Sequence, residues 1–261
     1  MLNKTILSLK WYFKNPSYIE EFVYLAVTKI KNSLNPVYNP EKQRLLSEKW
    51  CQDKAVDNKN AFLAITGSNK GYVEFESKFK EEMIKAQERA DNCPVKMGGP
   101  GNLTIIYNLT EYIKATRVIE TGVAYGWSSL ATLISLKSRI DSKLISVDKP
   151  YPGLNNEAYV GCIVPDELKE RWKIIRQSDR KGVPQAIEEL KTIDLCHYDS
   201  DKSHEGRMKT YPLLWNALRH GGIFISDDIG DNLGFKDFCE KIEKEPIIVK
   251  SDKYVGIIIK D

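Results

Sequence analysis

Hydrophobic and polar residues follow two different patterns along this chain, and the change falls near residue 95. Before it, apolar residues recur at helical spacing within segments that are bounded by proline or rich in charge. The predicted helices span residues 4–14, 18–33, 41–53 and 73–91, and the first two end at Asn15-Pro16 and Asn35-Pro36. We therefore expect a helical N-terminal extension over residues 1–95, with a role in packing, in an oligomer or in the pocket for the acceptor.

From residue 96 onward, short apolar runs alternate with amphipathic helical segments. The seven predicted strands are 117–120, 143–147, 172–176, 193–198, 223–226, 247–250 and 254–259, and the predicted helices are 127–137, 183–191, 211–218 and 235–242. Repeated strand-helix-strand units indicate an α/β domain, residues 96–261, with a doubly wound and mostly parallel sheet. The last two strands are close enough to form an antiparallel hairpin.

Composition narrows the function classes. The chain carries 39 basic and 36 acidic residues without a basic cluster, so we expect no nucleic-acid partner. Its five cysteines are scattered and form no CxxC pair, which argues against a disulfide framework or a zinc site and favours the reducing cytoplasm. No apolar run is long enough to predict a transmembrane helix.

Gly122 and Gly126 bracket a tight turn between the first strand of this domain and its helix. Glycine allows close approach of a ligand, and the free N–H groups at a helix start stabilise a carboxylate. Ser128 adds a hydroxyl in the first helical turn. A generic turn is the alternative, but the dinucleotide pattern Gly-x-Gly-x-x-Gly is missing here.

Two acidic residues flank this turn. Glu120 ends the strand before it, and Asp148 follows the next strand. A carboxylate at the first position suits an ammonium group, and one at the second suits the two hydroxyls of a ribose. The helix start suits the carboxylate of a ligand, and the two acidic residues suit its ammonium group and its ribose. This pattern predicts an adenosyl amino acid such as S-adenosylmethionine.

Residues 118–129, Val-Ile-Glu-Thr-Gly-Val-Ala-Tyr-Gly-Trp-Ser-Ser, resemble motif I of class I S-adenosylmethionine-dependent methyltransferases. They are most similar to the small O-methyltransferase branch, with its catechol, caffeoyl-coenzyme A and sugar O-methyltransferases. Residues 218–228 look like the strand-five motif of the same family. The resemblance covers residues 95–261 and implies a Rossmann-like fold and O-methylation of a small hydroxylated acceptor, of sugar or natural-product type.

The resemblance also implies roles for individual residues. Asp199, Asp227 and Asp228 match ligands of a divalent cation such as Mg²⁺, and Lys202 falls where a catalytic lysine is found. Besides the residues of the turn, the cofactor contacts that we expect are Met97, Tyr125, Ser178, Asp179 and Asp199. Relatives that modify sugars often carry histidine in place of Lys202, so the base is either Lys202 or His204.

The acidic residues carry their own physical argument. Three carboxylates that converge at neighbouring strand ends repel one another unless a cation neutralises them. The alternative is that they accept hydrogen bonds from nearby backbone N–H groups. Lys202 accepts a proton only if its surroundings depress its pKa, whereas His204 is a base at its ordinary pKa.

The first 35 residues contain five lysines and two glutamates, with aromatic residues interleaved. Such a segment either packs on the catalytic domain or on a second copy in a homodimer, or it lies on a membrane surface. We favour packing, on the catalytic domain or in a homodimer, over contact with a membrane. For the whole chain, a fold-related iron-dependent hydroxylase and a non-catalytic S-adenosylmethionine-binding protein are the alternatives to a methyltransferase.

Overall fold

The computed structural model describes residues 2–33 and 39–261, and the side chains of 8–28, 30 and 39–261 within them. Two helices, α1 (Leu2–Lys14) and α2 (Ile19–Ser33), meet at a 3₁₀ turn over Pro16–Tyr18. The predicted break at Asn15-Pro16 is therefore correct, and the one at Asn35-Pro36 lies outside the described residues.

The next elements of the chain are α3 (Pro40–Lys54), β1 (Ala55–Val56), α4 (Asn58–Thr66), α5 (Phe75–Lys78), α6 (Lys80–Asp91) and α7 (Leu103–Tyr112). The single helix predicted over 73–91 is wrong, because it divides at Phe79. The Phe79 backbone leaves the helical region, and its ring packs 4.9 Å from Phe75 and 5.0 Å from Tyr107 on α7. Packing against α7 thus overrides the local helical preference.

The remaining strands are β2 (Arg117–Thr121), β3 (Lys143–Val147), β4 (Trp172–Ile175), β5 (Ile193–Tyr198), β6 (Leu218–Ser226), β7 (Ile247–Lys250) and β8 (Tyr254–Ile259). Helices α8 (Trp127–Leu136), α9 (Asp166–Lys169), α10 (Asp179–Leu190), α11 (His204–Ala217) and α12 (Gly234–Lys241) lie between them. Two of these helices begin earlier than predicted, because Pro184 and Pro212 lie inside α10 and α11 and not at their first turns.

The sheet has the order β1-β7-β8-β6-β5-β2-β3-β4, and within the described residues only β8 runs against the others. The predicted doubly wound, mostly parallel sheet with a C-terminal antiparallel hairpin is confirmed. The predicted count of seven strands is wrong, because β1 pairs with β7 and adds an eighth. A strand of two residues is too short to show a periodic pattern.

Apolar clusters cover both faces of the sheet. Residues of α4, α7 and α8, such as Phe62, Leu103 and Leu130, pack on one face. Residues of α10, α11 and α12, such as Val183, Tyr211 and Phe238, pack on the other. The chain leaves β2 toward β3 on one side and later returns to β5 on the other. Ligands of open α/β sheets bind at this kind of switch point, beyond the carboxyl ends of the strands.

Candidate functional site

The first residues after the central strands form a row along the carboxyl edge of the sheet. The backbone N–H groups of Gly122, Asp148, Asp199 and Asp227 donate hydrogen bonds of 2.8–3.1 Å to the last residues of neighbouring strands. These bonds continue the pattern of the parallel sheet beyond the strand ends. The backbone therefore fixes where four of the predicted site residues stand relative to one another.

A cavity of about 450 Å³ opens above this row. Among the predicted site residues, those that line it are Gly122, Asp148, Ser178, Asp179 and Lys202. Further walls come from α2 and α11, and from Ser200 beside Lys202; their lining residues include Glu21, Tyr24, Leu25, Lys209 and Thr210. Helix α2 of the N-terminal extension thus reaches this cavity, as one of the roles expected for residues 1–95 requires.

Gly122 adopts a left-handed backbone conformation with φ +82°. A Cβ atom at this position would lie 2.2 Å from the carbonyl oxygen of Asp199. A side chain would therefore meet backbone, which cannot rotate out of the way. The turn after β2 consequently requires glycine both for its conformation and for its contact with the end of β5.

Asp148 is buried at the end of β3 and faces the cavity, as expected of a ribose contact. Its Oδ1 accepts a hydrogen bond of 2.9 Å from the Val123 amide, which ties it to the glycine turn. Its Oδ2 forms an ion pair with Arg176, a residue that the sequence analysis missed. Arg176 follows β4 directly, so its place at the carboxyl edge was a signal that could have identified it.

Ser178 and Asp179 lie at the start of α10, on the cavity wall, where the adenine contacts were predicted. The buried Ser178 hydroxyl has no hydrogen-bond partner among the described residues. Asp179 accepts a hydrogen bond from the Ser200 hydroxyl, and burial raises the pKa of Asp179 to about 6. This end of the cavity thus holds one unpaired polar group and one carboxyl that is readily protonated.

Glu120 does not line the cavity, in contrast to the predicted contact with an ammonium group. It is 1% exposed beneath the turn, where its Oε2 accepts hydrogen bonds from Ser129 at 2.5 Å and Ser146 at 2.6 Å. Its Oε1 lies 3.9 Å from Nδ1 of the buried His197. Burial alone would lower the pKa of His197, but the Glu120 carboxylate, together with Asp199 and Asp227, outweighs burial and raises that pKa. Side chains alternate between the two faces of a strand, and the Glu120 side chain lies on the face toward α8.

Five other predicted cofactor contacts lie outside the cavity lining: Asp199, which is described below, and four residues around the glycine turn. The Tyr125 hydroxyl donates to the Val95 carbonyl at 3.1 Å, and the Met97 sulfur accepts from Asn156 at 3.5 Å. Both side chains pack against the apolar cluster beside α8. Gly126 caps α8 with φ +98°, and Ser128 is half-buried in its first turn. These positions shape the turn and the helix start.

Two lysines engage Asp228, which is 4% exposed at the end of β6. Lys202 forms an ion pair with it, and the Lys253 ammonium lies 2.7 Å from Oδ1 and 2.9 Å from Oδ2. Burial alone would raise the pKa of Asp228, but these two ammonium groups outweigh it and lower that pKa. Lys253 lies in the β7–β8 turn, where nothing in the local sequence indicated a role at this site.

The other two predicted metal ligands stand beside this ion pair. Asp199 Oδ1 lies 3.2 Å from Lys202 Nζ. Burial and the charge of Asp199 raise the pKa of Asp227 to about 6. Within residues 2–33 and 39–261, no group of three or more acidic, histidine or cysteine side chains is placed to hold a metal ion. Two lysine ammonium groups thus lie at Asp228, where the resemblance implied a divalent cation, and the metal site stays a prediction.

The two candidate bases differ in their placement. Lys202 reaches the cavity, but its pKa is shifted opposite to the predicted direction: burial would lower it, and Asp199 and Asp228 outweigh burial and raise it. His204 begins α11, and its Nε2 lies 2.7 Å from Asp237 on α12. It does not line the cavity, so the structure brings Lys202 and not His204 into the site.

A buried arginine that the sequence analysis missed holds the end of β6. Arg207 is 0% exposed on α11 and donates to the carbonyl oxygens of Asp228 at 2.7 Å and Asp227 at 3.3 Å. Asn232 in turn donates to the Lys202 carbonyl at 2.7 Å. These contacts join the loops after β5 and β6 and depend on long-range packing, which leaves no motif in the sequence.

Comparisons with known proteins agree with this architecture. Residues 119–229 match the family model described as a methyltransferase domain. The chain is 32% identical over 144 residues to a flavonoid 3',5'-methyltransferase of Vitis vinifera, an alignment that covers 52% of this chain. The chain spans about half of that relative, 55% of its length.

Solved structures show the same fold at low identity. The cofactor-bound protein Rv0187 from MTB matches with a TM-score of 0.56 and 13% identity, over 70% of this chain and 91% of its own. An O-methyltransferase from Bacillus cereus, in complex with SAH, matches with a TM-score of 0.53 and 16% identity, over 73% of this chain and 94% of its own. At these identities the likeness establishes the fold.

Proposed function

We propose that this chain, whose residues 119–229 match a methyltransferase-domain model, transfers the methyl group of S-adenosylmethionine to a hydroxyl oxygen of a small acceptor. The observation that carries the proposal is the cavity at the switch point of the sheet, which the glycine turn, Asp148, Ser178 and Lys202 line together. One crevice thus combines groups for an adenosyl ligand with a charged group for an acceptor.

The lining fits the adenosyl part of this cofactor. The unpaired Ser178 hydroxyl offers a hydrogen bond to the adenine, and Asp148 offers its carboxylate to the ribose hydroxyls if Arg176 gives up one oxygen. Gly122 allows the turn to lie directly against the end of β5, because a Cβ there would collide with the Asp199 carbonyl oxygen. In this arrangement the methionyl carboxylate extends past Gly122, beyond the cavity lining, and accepts hydrogen bonds from the free N–H groups at the start of α8.

S-adenosylmethionine supplies an electrophilic methyl group on a sulfonium, so the protein has to position an acceptor oxygen and remove its proton. Lys202 is held as an ammonium by Asp199 and Asp228 and orients the acceptor oxygen by donating a hydrogen bond. Asp199 accepts the proton as the oxygen–carbon bond forms and the sulfur–carbon bond breaks. Positioning contributes roughly 7–11 kcal/mol to such reactions, so no covalent intermediate is required.

The acceptor end of the cavity is polar. Tyr151, Lys202, Lys209 and Thr210 line it, and Lys209 is hydrogen-bonded to the Tyr24 hydroxyl at 2.7 Å. Such a lining suits an acceptor with several hydroxyl groups, of the sugar or polyhydroxylated natural-product type. No histidine lines this cavity in the described part of the chain, so no observation favours the alternative iron-dependent hydroxylase.

We assign the two parts of the chain different roles in the proposed enzyme. Residues 96–261 form the proposed catalytic domain, and residues 1–95 support it through α2 at the cavity and through α3. Ser47 on α3 donates to the carbonyl oxygens of Ile229 at 2.8 Å and Asn232 at 2.9 Å, next to the end of β6.

All five cysteines are free, which suits a reducing compartment, the cytoplasm.

Isothermal titration calorimetry with S-adenosylhomocysteine, followed by a mass-spectrometric screen for methylated acceptors, tests the proposed function. We expect 1:1 binding by the wild type, about tenfold weaker binding by Asp148→Asn, and unchanged binding by the exposed control Asp141→Asn. A chain that binds the cofactor but methylates none of the hydroxylated acceptors supports the non-catalytic alternative. Absence of binding contradicts both.

A further inference from the structure

Helices α1 and α2 expose an apolar outer face. Phe13 is 80% exposed and Leu9, one helical turn earlier, is 36% exposed. On α2, Ile19, Val23 and Val27 follow one another at spacings of four residues and are 42%, 52% and 58% exposed. Residues at this spacing lie on one side of a helix, so the exposed side chains of each helix form a stripe along it and not scattered positions.

The opposite face of these helices is fixed to the rest of the protein. Glu21 is buried and lines the cavity with Tyr24, whose ring lies 4.6 Å from the Arg180 guanidinium. The Tyr18 hydroxyl donates to the Arg176 carbonyl at 2.6 Å. The predicted packing on the catalytic domain therefore accounts for the inner face only. The outer stripe faces away from the described part of the catalytic domain.

Charge distinguishes the partners that such a stripe could meet. The first 35 residues carry five lysines and two glutamates, an excess of three, which equals the net charge of the whole chain. Glu20 pairs with Lys181 at 2.6 Å, and Glu21 lies 3.5 Å from Arg180, so residues of α10 offset both acids. Lys10 and Lys14 are exposed beside Leu9 and Phe13.

An apolar stripe flanked by lysines complements an anionic lipid surface. The apolar side chains enter the boundary between headgroups and acyl chains, and each lysine near the surface adds about 1 kcal/mol of attraction. In a contact between two copies of the chain, by contrast, each copy would place the same excess of positive charge at the interface, and the two faces would repel each other. None of the helices in the described part of the chain has both the length and the apolar character of a transmembrane span.

We propose that the outer face of α1 and α2, formed by Leu9, Phe13, Ile19, Val23 and Val27 and flanked by Lys10 and Lys14, docks on the surface of an anionic lipid bilayer. The proposal is independent of the methyl-transfer reaction, because neither the stripe nor its flanking lysines line the cavity.

Vesicle flotation of the full chain tests this proposal, with phosphatidylcholine vesicles that contain or lack phosphatidylglycerol. We expect binding to the anionic vesicles only. The double variant Val23→Asp/Val27→Asp is expected to lower the partition coefficient about 100-fold, and Lys10→Gln/Lys14→Gln about 25-fold. Ile140→Asp, at an 85% exposed position between α8 and β3, is the matched control and retains wild-type binding.

Thermal unfolding of each variant checks that it is folded, and light scattering in solution gives the mass. Failure of the wild type to float with anionic vesicles overturns the proposal, as does equal binding by the Val23→Asp/Val27→Asp variant. A dimer that this variant dissociates also overturns it, because the stripe is then a contact between two copies. Cofactor binding is measured separately, so a failed methyltransferase assay leaves this test intact.

Discussion

Replacement of Gly122 by alanine is the sharpest perturbation of the proposed cofactor turn. The residue has φ +82°, a conformation that costs a residue with a side chain roughly 1–2 kcal/mol. The new Cβ would also lie 2.2 Å from the Asp199 carbonyl oxygen, so the turn or the end of β5 has to move. Together we expect a loss of about 2–4 kcal/mol in the free energy of unfolding.

Gly67 provides the matched control. It caps α4 with φ +74°, and a Cβ there would meet nothing within 4 Å. Gly67→Ala is therefore expected to lower the free energy of unfolding by about 1 kcal/mol, through the unfavourable backbone conformation alone. For a domain of this size each kcal/mol lowers the melting temperature by about 2–4 °C, so the two variants are readily separated by calorimetry or circular dichroism.

The same displacement has a functional consequence. Because the turn contacts the end of β5, a shift there moves Asp199 and the start of α8 apart, and we expect the affinity for S-adenosylhomocysteine to fall about tenfold or more. Gly67→Ala should bind the compound as the wild type does. Equal melting temperatures and equal affinities in the two variants would refute the claim that close backbone contact shapes this turn.

Four further predictions follow from the site. Lys202→Met should lower the rate of methyl transfer about 100-fold and leave the affinity for S-adenosylhomocysteine unchanged in calorimetry, because the lysine orients the acceptor; equal losses in both would contradict this role. Arg207→Met leaves two buried carbonyl oxygens without their donor and should cost about 2–3 kcal/mol in urea unfolding; a loss below 0.5 kcal/mol or so would contradict it. Because the pKa of Asp179 rises from 3.8 to about 6 on folding, the folded state binds more protons between these values, and the free energy of unfolding should fall by roughly 1–3 kcal/mol from pH 4 to pH 6; Asp179→Asn, measured alongside, should lack that part of the slope. Magnesium should add no binding heat in calorimetry, because two lysines engage Asp228; binding to the wild type that Asp228→Asn abolishes would contradict this.

The sheet could be predicted well because its strands carry strong local signals. The apolar runs of β3, β5, β7 and β8 gave their bounds directly, and each ends at a polar residue or turn. The starts of α10 and α11 could not be predicted in the same way. Their prolines resemble first-turn residues, whereas tertiary packing extends both helices in front of them.

Part of the site could be predicted from the ends of the strands. Gly122 and Asp148 follow β2 and β3 directly, and they line the cavity because parallel strands end at one edge. Ser178, Asp179 and Lys202 also line it, but they were expected from the family resemblance. Glu120 lies inside β2, one residue before the last residue of the strand. Because side chains alternate between the two faces of a strand, its carboxylate lies beneath the glycine turn and not in the cavity. Lys253 and Arg207 act across long sequence separations, so their contacts with the end of β6 depend on packing that no local pattern records.

A crystal structure of the chain soaked with S-adenosylhomocysteine tests the central claim most directly. The account predicts the compound in the cavity above β2 and β5, with its ribose hydroxyls at Asp148, Arg176 displaced from one oxygen of that carboxylate, and its adenine at Ser178. Density for the compound elsewhere on the protein, or a crevice that stays empty at saturating concentration, would contradict the account.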